Sequence, residues 1–305
     1  MTQAIQNLAN GAPLIADKLT TVRVYARSDT GRYTVRARLK DSQTGNTYVA
    51  GPIPVFWDAH PVSEEDRRKI SRSFTFWLPG YWSAGSVTLD AEVNIDRNPS
   101  EVDYTNNKMS VTVQFESMPP LKLRLIPVSY DGTVATGAAM LYSLRYLKDT
   151  YPISRVIASF GEPLPLVGSS GLGFVDTLND LGIRRYLSDD SSNVIWIGYM
   201  PAKVPSALSG LANRESQSVL TKVGSESTMA HEIGHVLGRG HVNCGGPWFP
   251  DHAYPYPTDK LSFAFEDDYW GFRPRKRNHL AVKDPARNKD FMSYCYPRWV
   301  SDYTY

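Results

Sequence analysis

Three histidines and one glutamate lie in one short segment, at a spacing that could hold a metal ion. His231 and His235 are four residues apart, so on an α-helix their imidazoles share one face, with Glu232 one position away. Gly238 can adopt the positive φ that ends a helix in a sharp turn, which would bring His241 back toward the other two rings. The spacing therefore predicts a three-histidine metal site with an acidic residue beside it.

The predicted chemistry is that of a catalytic zinc site. Three neutral imidazoles leave the fourth tetrahedral position of Zn²⁺ open, whereas a structural zinc takes a fourth protein ligand. Water at that position becomes acidic near neutral pH, and Glu232 can accept its proton, so that the hydroxide can attack a carbonyl polarised by the metal. A lone histidine is more often a core residue, but the complete pattern favours His231, His235 and His241 as zinc ligands and Glu232 as the catalytic base.

The pattern HExxHxxGxxH resembles the signature of the metzincin zinc metallopeptidases. That family also has a methionine-containing turn below the zinc, and this chain has Met292 in the segment Asp-Phe-Met-Ser-Tyr. The resemblance implies that Met292 forms the apolar floor of the site; the alternative is an ordinary core methionine. Val242, which follows the third histidine, departs from the acidic residue, Pro, Ser or Thr of the familiar subfamilies, so no subfamily is assigned.

Tyr294 stands two residues after Met292, as in the astacin-like and serralysin-like members of the family. The resemblance implies that its hydroxyl helps to hold the tetrahedral intermediate, because a phenol can donate a hydrogen bond to an oxyanion. The alternative is a buried tyrosine with a satisfied hydroxyl. Tyr294 is thus a second candidate catalytic residue.

The two cysteines flank segments that are expected near the zinc. Cys244 follows His241 by three residues, and Cys295 follows Met292 by three. A secreted member of the resembled family would meet oxidising conditions, which favours a Cys244–Cys295 disulfide over two free buried thiols. The same resemblance implies a secreted or cell-surface location.

A short segment before the zinc motif resembles the strand that borders the metzincin cleft. It contains Gly210, Leu211 and Ala212. Peptides can dock on such an edge by adding a strand, with main-chain hydrogen bonds supplying affinity. The alternative is a surface turn.

The elements that must position these residues change character near residue 118. Apolar and polar residues alternate along much of 1–118, which predicts a β-sandwich. The segment from Ala91 to Phe115 resembles the closing hairpin of bacterial immunoglobulin-like modules, which implies an immunoglobulin-like sandwich. Pro119 and Pro120 then interrupt regular structure. In 119–305, strand and helix patterns alternate, which predicts an α/β metzincin-like peptidase domain. The expected fold class is therefore two domains, all-β at 1–118 and α/β at 119–305.

Composition excludes some functions. With 42% hydrophobic and 21% charged residues the chain has the composition of a globular protein, and a net charge of +2 gives no general drive toward nucleic acid. No apolar run is long enough to span a bilayer. The first ten residues lack the charged start and apolar middle of a secretion signal, so we expect either a removed signal or an internal piece of a longer protein.

Two functions remain after the sequence analysis. The first is a zinc-dependent endopeptidase that cleaves a protein or glycoprotein substrate. The second is a surface adhesion or glycan-binding protein with a non-catalytic metallopeptidase-like domain. The intact Glu232 favours the enzyme, since a non-catalytic site would be marked by loss of this base.

Overall fold

The structure of the chain is a computed structural model. It describes residues 1–57, 62–78, 82, 84–168, 170–190, 193–205, 208–257, 260–263 and 268–305. The chain divides into two compact units, and the first consists of Met1–Met118, Lys260–Asn288 and Tyr305. The second unit consists of Pro119–Asp259 and Lys289–Thr304.

The strands and helices follow one another in short succession. In chain order the strands are β1 (Ile5–Gln6), β2 (Leu14–Ile15), β3 (Thr20–Val24), β4 (Arg32–Asp41), β5 (Thr47–Phe56), β6 (Phe74–Leu78), β7 (Gly85–Val93), β8 (Lys108–Glu116), β9 (Leu121–Tyr130), β10 (Thr133–Val134), β11 (Val156–Phe160), β12 (Leu164–Pro165), β13 (Val194–Met200), β14 (Gly210–Asn213), β15 (Ser218–Lys222), β16 (Trp270–Phe272), β17 (Val282–Lys283), β18 (Lys289–Asp290) and β19 (Arg298–Trp299). The α-helices are α1 (Glu64–Arg68), α2 (Gly137–Thr150), α3 (Gly171–Tyr186) and α4 (Glu226–Val236), and 3₁₀ turns cover Ile70–Arg72 and His279–Ala281.

The first unit is built from sheets that share one apolar core. A five-stranded sheet has the order β2-β8-β7-β4-β5, and β3 pairs with β6 in a second sheet. Val35, Ala37 and Leu39 of β4 are buried while the residues between them are exposed, as the two-residue period of a strand requires. These side chains meet Phe74 and Phe76 of β6 in the core.

The first unit also contains a segment that the sequence analysis assigned to the second domain. Strand β16 pairs antiparallel with β1, so that Ile5 lies opposite Gly271, and β17 extends this small sheet. The unit boundary falls between Met118 and Pro119, but Lys260–Asn288 belongs to the first unit rather than to 119–305. Pairing between the two ends of a chain leaves no local pattern, and this is why the sequence did not show it.

The second unit contains a seven-stranded sheet that carries the site helix. Its main order is β10-β9-β13-β15-β14, with β11 and β12 also paired to β9. Strands β9, β13 and β15 run parallel, and β14 is antiparallel to β15. Helix α4 contacts α2, β14 and β15. The helix that bears most of the HExxHxxGxxH motif is therefore held beside an end strand of the sheet.

Successive side chains of β13 point to opposite faces of the sheet and contact different helices. Trp196 and Met200 belong to an apolar cluster that includes Phe174 of α3. The hydroxyl of Tyr199, one position out of phase, shares a 2.8 Å hydrogen bond with the hydroxyl of Ser143 in α2 and donates to the sulfur of Met229 in α4 at 2.9 Å. Buried polar contacts of this kind tie α4 to the sheet.

The predicted fold class is wrong. The described chain is mainly β, helix makes up only 18% of it, and it does not show the α/β metzincin-like domain that was expected. The helical periodicity of the second half is confined to α2, α3 and α4. Much of the rest of that half forms strands, turns and irregular segments. The alternation of strand and helix patterns does not show how many residues lie outside both.

Candidate metal centre

Helix α4 supplies the first part of the HExxHxxGxxH motif. His231 and His235 lie one turn apart, and their Nε2 atoms are 3.0 Å from each other. The helix ends at Val236, and the N–H of Leu237 still donates to the carbonyl of Ile233. Two imidazoles are thus placed side by side by helix geometry alone.

A glycine turn brings the third histidine to the same point. Gly238 has a φ of +93°, in the region that favours glycine, and the N–H of Arg239 closes the helix by donating to the carbonyl of Gly234. The carbonyl of His241 then accepts a hydrogen bond from the N–H of Asp251 at 2.7 Å. The Nε2 of His241 lies 3.0 Å from that of His235. The three ring nitrogens that could bind a metal lie within 4.8 Å of one another.

The other ring nitrogen of each histidine is held by a backbone carbonyl. The Nδ1 of His231 donates to the carbonyl of Phe291 at 2.8 Å, and that of His235 donates to the carbonyl of Arg239 at 2.9 Å. His241 Nδ1 donates to the carbonyl of Trp248 at 2.9 Å. A carbonyl can only accept, so each neutral ring carries its proton on Nδ1 and presents the lone pair of Nε2 to the centre. Metal-bound histidines typically donate their other ring N–H to a carbonyl or a carboxylate in this way.

Burial favours the neutral rings that a metal needs. Desolvation, helped by the nearby charge of His235, lowers the pKa of His231 to about 3. Desolvation also lowers the pKa of His235. Three lone pairs facing one another have no hydrogen to share, so the donor set fits a divalent cation and not a hydrogen-bonded histidine cluster.

Glu232 follows His231 on α4 and packs against β14. Its side chain is buried, and burial raises its pKa to about 8, with the charge of Arg298 acting in the opposite direction. A Cβ at Gly210 of β14 would lie 2.8 Å from both Cγ and Oε1 of Glu232. Only glycine leaves room for the carboxyl group there.

Met292 lies directly beneath α4. Its side chain is fully buried, and a Cβ on Gly234 would be 2.4 Å from the Met292 sulfur. The methionine therefore supports the helix at the turn between His231 and His235, and Gly234 is the residue that permits this close approach.

We expect Gly234→Ala to destabilise the protein. The added methyl group must displace Met292 in a filled core, which costs about 1–3 kcal/mol in the free energy of unfolding. Urea denaturation followed by far-UV circular dichroism measures this. Gly137→Ala is the matched control, because a Cβ there meets Phe160 at an ordinary 3.5 Å. An equal midpoint for Gly234→Ala and the wild type would contradict the assigned packing.

Asp290 organises the turn that contains Met292, and the sequence analysis did not assign it a role. It is fully buried; its Oδ1 accepts from the N–H of Met292 at 2.7 Å, and its Oδ2 accepts from the N–H of Ser301 at 2.9 Å. Its carbonyl also accepts from the hydroxyl of Ser293. An aspartate two residues before a turn residue is a recognisable Asx-turn pattern, so a local signal was present.

Cys244 and Cys295 form the predicted disulfide, which is confirmed, with a Cα–Cα distance of 5.6 Å. Two further hydrogen bonds join the same segments, from the N–H of Val242 to the carbonyl of Met292 at 3.1 Å and from the N–H of Tyr294 to the carbonyl of Cys244 at 2.9 Å. In the chain-entropy description a bridge across 51 residues contributes about 4 kcal/mol. The bridge fastens the turn containing Met292 to the segment that follows His241.

Tyr294 reaches the histidines from this fastened turn. Its hydroxyl lies 3.2 Å from Nε2 of His241, and the side chain is 45% exposed. Desolvation raises the pKa of Tyr294, and the charge of Glu232 raises it further, so the hydroxyl keeps its proton at neutral pH. It is a hydrogen-bond donor placed at the mouth of the site.

The predicted edge segment is a strand. Gly210, Leu211 and Ala212 lie in β14, which pairs antiparallel with β15 at one end of the sheet order. Through Gly210 this strand contacts Glu232. The structure thus brings the segment and the candidate catalytic base together.

Comparisons with known proteins give this chain no family. No family model matches it, and no curated protein matches it. One solved structure that matches is the CARDB domain of the PF1109 protein from Pyrococcus furiosus, described as a complex with di-metal ions. That match has 14% identity, covers 37% of this chain and 86% of that one, and has a TM-score of 0.24. At this score it assigns neither a fold nor a function to the chain.

Proposed function

We propose that this protein is a zinc-dependent endopeptidase. The observation that carries the proposal is the convergence of three Nε2 lone pairs whose Nδ1 partners are all backbone carbonyls. The motif HExxHxxGxxH adds to it, because its spacing resembles that of the metzincin metallopeptidases. His231, His235 and His241 would hold the ion.

Zinc is the cation that this donor set suits best. Three neutral imidazoles without a thiolate or a carboxylate ligand are typical of catalytic Zn²⁺ sites. When bound, the ion would supply Lewis acidity, which polarises the scissile carbonyl and lowers the pKa of water.

Glu232 would move the proton. Its carboxyl group accepts no hydrogen bond from the residues that the structure describes, so both oxygens are free to take a proton from the attacking water. The same group can then deliver that proton to the amine that leaves when the C–N bond breaks.

Tyr294 and β14 would position the substrate. The Tyr294 hydroxyl can donate to the oxygen that becomes negative as the carbonyl is attacked. A peptide added along Gly210, Leu211 and Ala212 would run past Glu232, and its main chain would bond to the edge of β14 opposite β15.

The proposed setting is extracellular or on a cell surface, with a protein or glycoprotein substrate. The disulfide indicates an oxidising environment. None of the helices among the described residues combines the length and the apolar character needed to cross a membrane. The alternative of a non-catalytic adhesion or glycan-binding protein gains no support from the site, since Glu232 is in place.

Metal analysis and a cleavage assay on the same preparation test the proposal. We expect elemental analysis of the purified protein to find one zinc per chain. The same sample should cleave unfolded casein, with fragments visible by gel electrophoresis and mass spectrometry. Protein without bound transition metal, or zinc-loaded protein that leaves casein intact, would count against an endopeptidase.

A further inference from the structure

Arg298 is a partly buried arginine that the roles above do not use. It lies in β19 next to the buried Trp299, and its Nε donates to the carbonyl of Cys295 at 3.2 Å. Its guanidinium carbon stands 4.2 Å from the ring centre of Tyr296. Cys295 is fixed by the disulfide, so one hydrogen bond and one cation–π contact hold the guanidinium in place.

Arg298 is anchored to the turn that carries Tyr294. Cys295, whose carbonyl accepts from Nε of Arg298, directly follows Tyr294 in the chain. The hydroxyl of Tyr294 lies 3.2 Å from Nε2 of His241, and its ring centre lies 5.7 Å from that of His231. The guanidinium is therefore held beside the residue that borders the histidines.

Most of the hydrogen-bonding capacity of Arg298 is unused. A guanidinium has five N–H donors in a planar fork, and the bond to Cys295 takes the one on Nε. Within the described residues, no acceptor is paired with Nη1 or Nη2 and no carboxylate forms an ion pair with this arginine. The two Nη atoms of a guanidinium form a planar, charged pair of donors, and a carboxylate has two oxygens at the spacing that accepts from both.

We propose that Arg298 forms a subsite for an acidic side chain of the substrate, adjacent to the bond that is cleaved. This inference rests on the proposed peptidase function and names its substrate class: peptides with aspartate or glutamate beside the scissile bond. Tyr296 and the carbonyl of Cys295 orient the guanidinium, and its Nη atoms bind the carboxylate. Arg298 is a specificity-determining residue and takes no part in the proton transfers.

Matched peptides test the subsite. Internally quenched peptides are prepared that differ only in the residue before or after the scissile bond, which is Glu, Gln or Lys. We expect the wild type to cleave the best Glu peptide about 10- to 100-fold more efficiently than its Gln counterpart in kcat/KM, as for a hydrogen bond to a charged group. In Arg298→Gln this ratio should fall to about one, and Arg298→Glu should favour Lys.

Arg145→Gln is the control, because Arg145 also stands over a tyrosine ring, at 4.8 Å from Tyr142, but is exposed on α2. It should keep the wild-type ratio. Each ratio is measured within one preparation, so it does not depend on the fraction of folded enzyme. A wild-type ratio near one, or a ratio that survives in Arg298→Gln, overturns the inference.

A binding measurement separates this inference from the peptidase proposal. Zinc-loaded Glu232→Gln protein is titrated with fluorescein-labelled Glu and Gln peptides, and polarisation gives each Kd. Tighter binding of the Glu peptide, lost when Arg298→Gln is added, supports the subsite even if the wild type cleaves nothing; in that case only the peptidase proposal fails. Equal Kd values for the two peptides reject the subsite whether or not cleavage occurs.

Discussion

Glu232→Gln is expected to lower kcat about 10²- to 10⁴-fold, the range that a positioned general base contributes. The amide keeps the size of the side chain against Gly210, so the fit of β14 is preserved, but it cannot accept the proton of water. The three histidines are untouched, and zinc content should stay at the wild-type level. Stopped-flow or steady-state assays on a quenched peptide give kcat, and elemental analysis gives the zinc content.

Glu226→Gln is the matched control for this variant. Glu226 is in the first turn of the same helix, and the substitution makes the same chemical change away from the site. Its kcat should stay near the wild-type value. A Glu232→Gln enzyme that binds zinc and turns over at the wild-type rate would show that another group accepts the proton.

Tyr294→Phe is expected to lower kcat about 10²-fold, as the loss of one donor to a developing oxyanion does. The ring remains beside His241, and only the hydroxyl 3.2 Å from Nε2 is removed. KM should change little, because the hydrogen bond strengthens as the oxygen gains charge and is weak in the bound substrate. Separate determination of kcat and KM distinguishes this role from simple substrate binding.

Tyr186→Phe provides the comparison for Tyr294→Phe. Tyr186 ends α3 and is 85% exposed, so its hydroxyl has no part in the site, and kcat should be unchanged. If Tyr294→Phe raised KM and left kcat intact, the hydroxyl would be a binding group and not a stabiliser of the transition state.

The helical part of the candidate site could be predicted because its geometry is local. Residues four apart on a helix share a face, and Gly238 permits the turn that follows, so the relation of His231, His235 and Glu232 is contained in a single segment. The structure places these groups together as the spacing predicts. Whether zinc binds there and whether peptides are cleaved remain predictions.

The sequence could not predict the groups that hold each ring in place. The acceptor for His231 is the carbonyl of Phe291, and the acceptor for His241 is that of Trp248. Every residue has a backbone carbonyl, so no residue type marks the one that will be used. The orientation of Arg298 was missed for a similar reason, since its partner is also a backbone carbonyl, that of Cys295.

Fold class was the largest error, and its cause is physical. Periodicity identifies a strand or a helix but not the strands with which it pairs, and pairing depends on contacts between distant residues. Ile5 opposite Gly271 is such a contact, and it moves Lys260–Asn288 into the first unit. Local patterns predicted an α/β domain at 119–305, whereas the described residues of the chain are mainly β.

By itself the sequence determined which chemistry is available: three imidazoles, one carboxyl group and a glycine turn within a single helical segment, because spacing along a helix is a fixed geometric relation. Tertiary structure alone decided how that chemistry is held. It chose the carbonyls that fix each ring and placed Met292 beneath Gly234. It also anchored Arg298 on the carbonyl of Cys295 and, among the described residues, gave its Nη atoms no acceptor. The contacts to Phe291 and Met292 join residues far apart in the chain, and they exist only once the chain has folded.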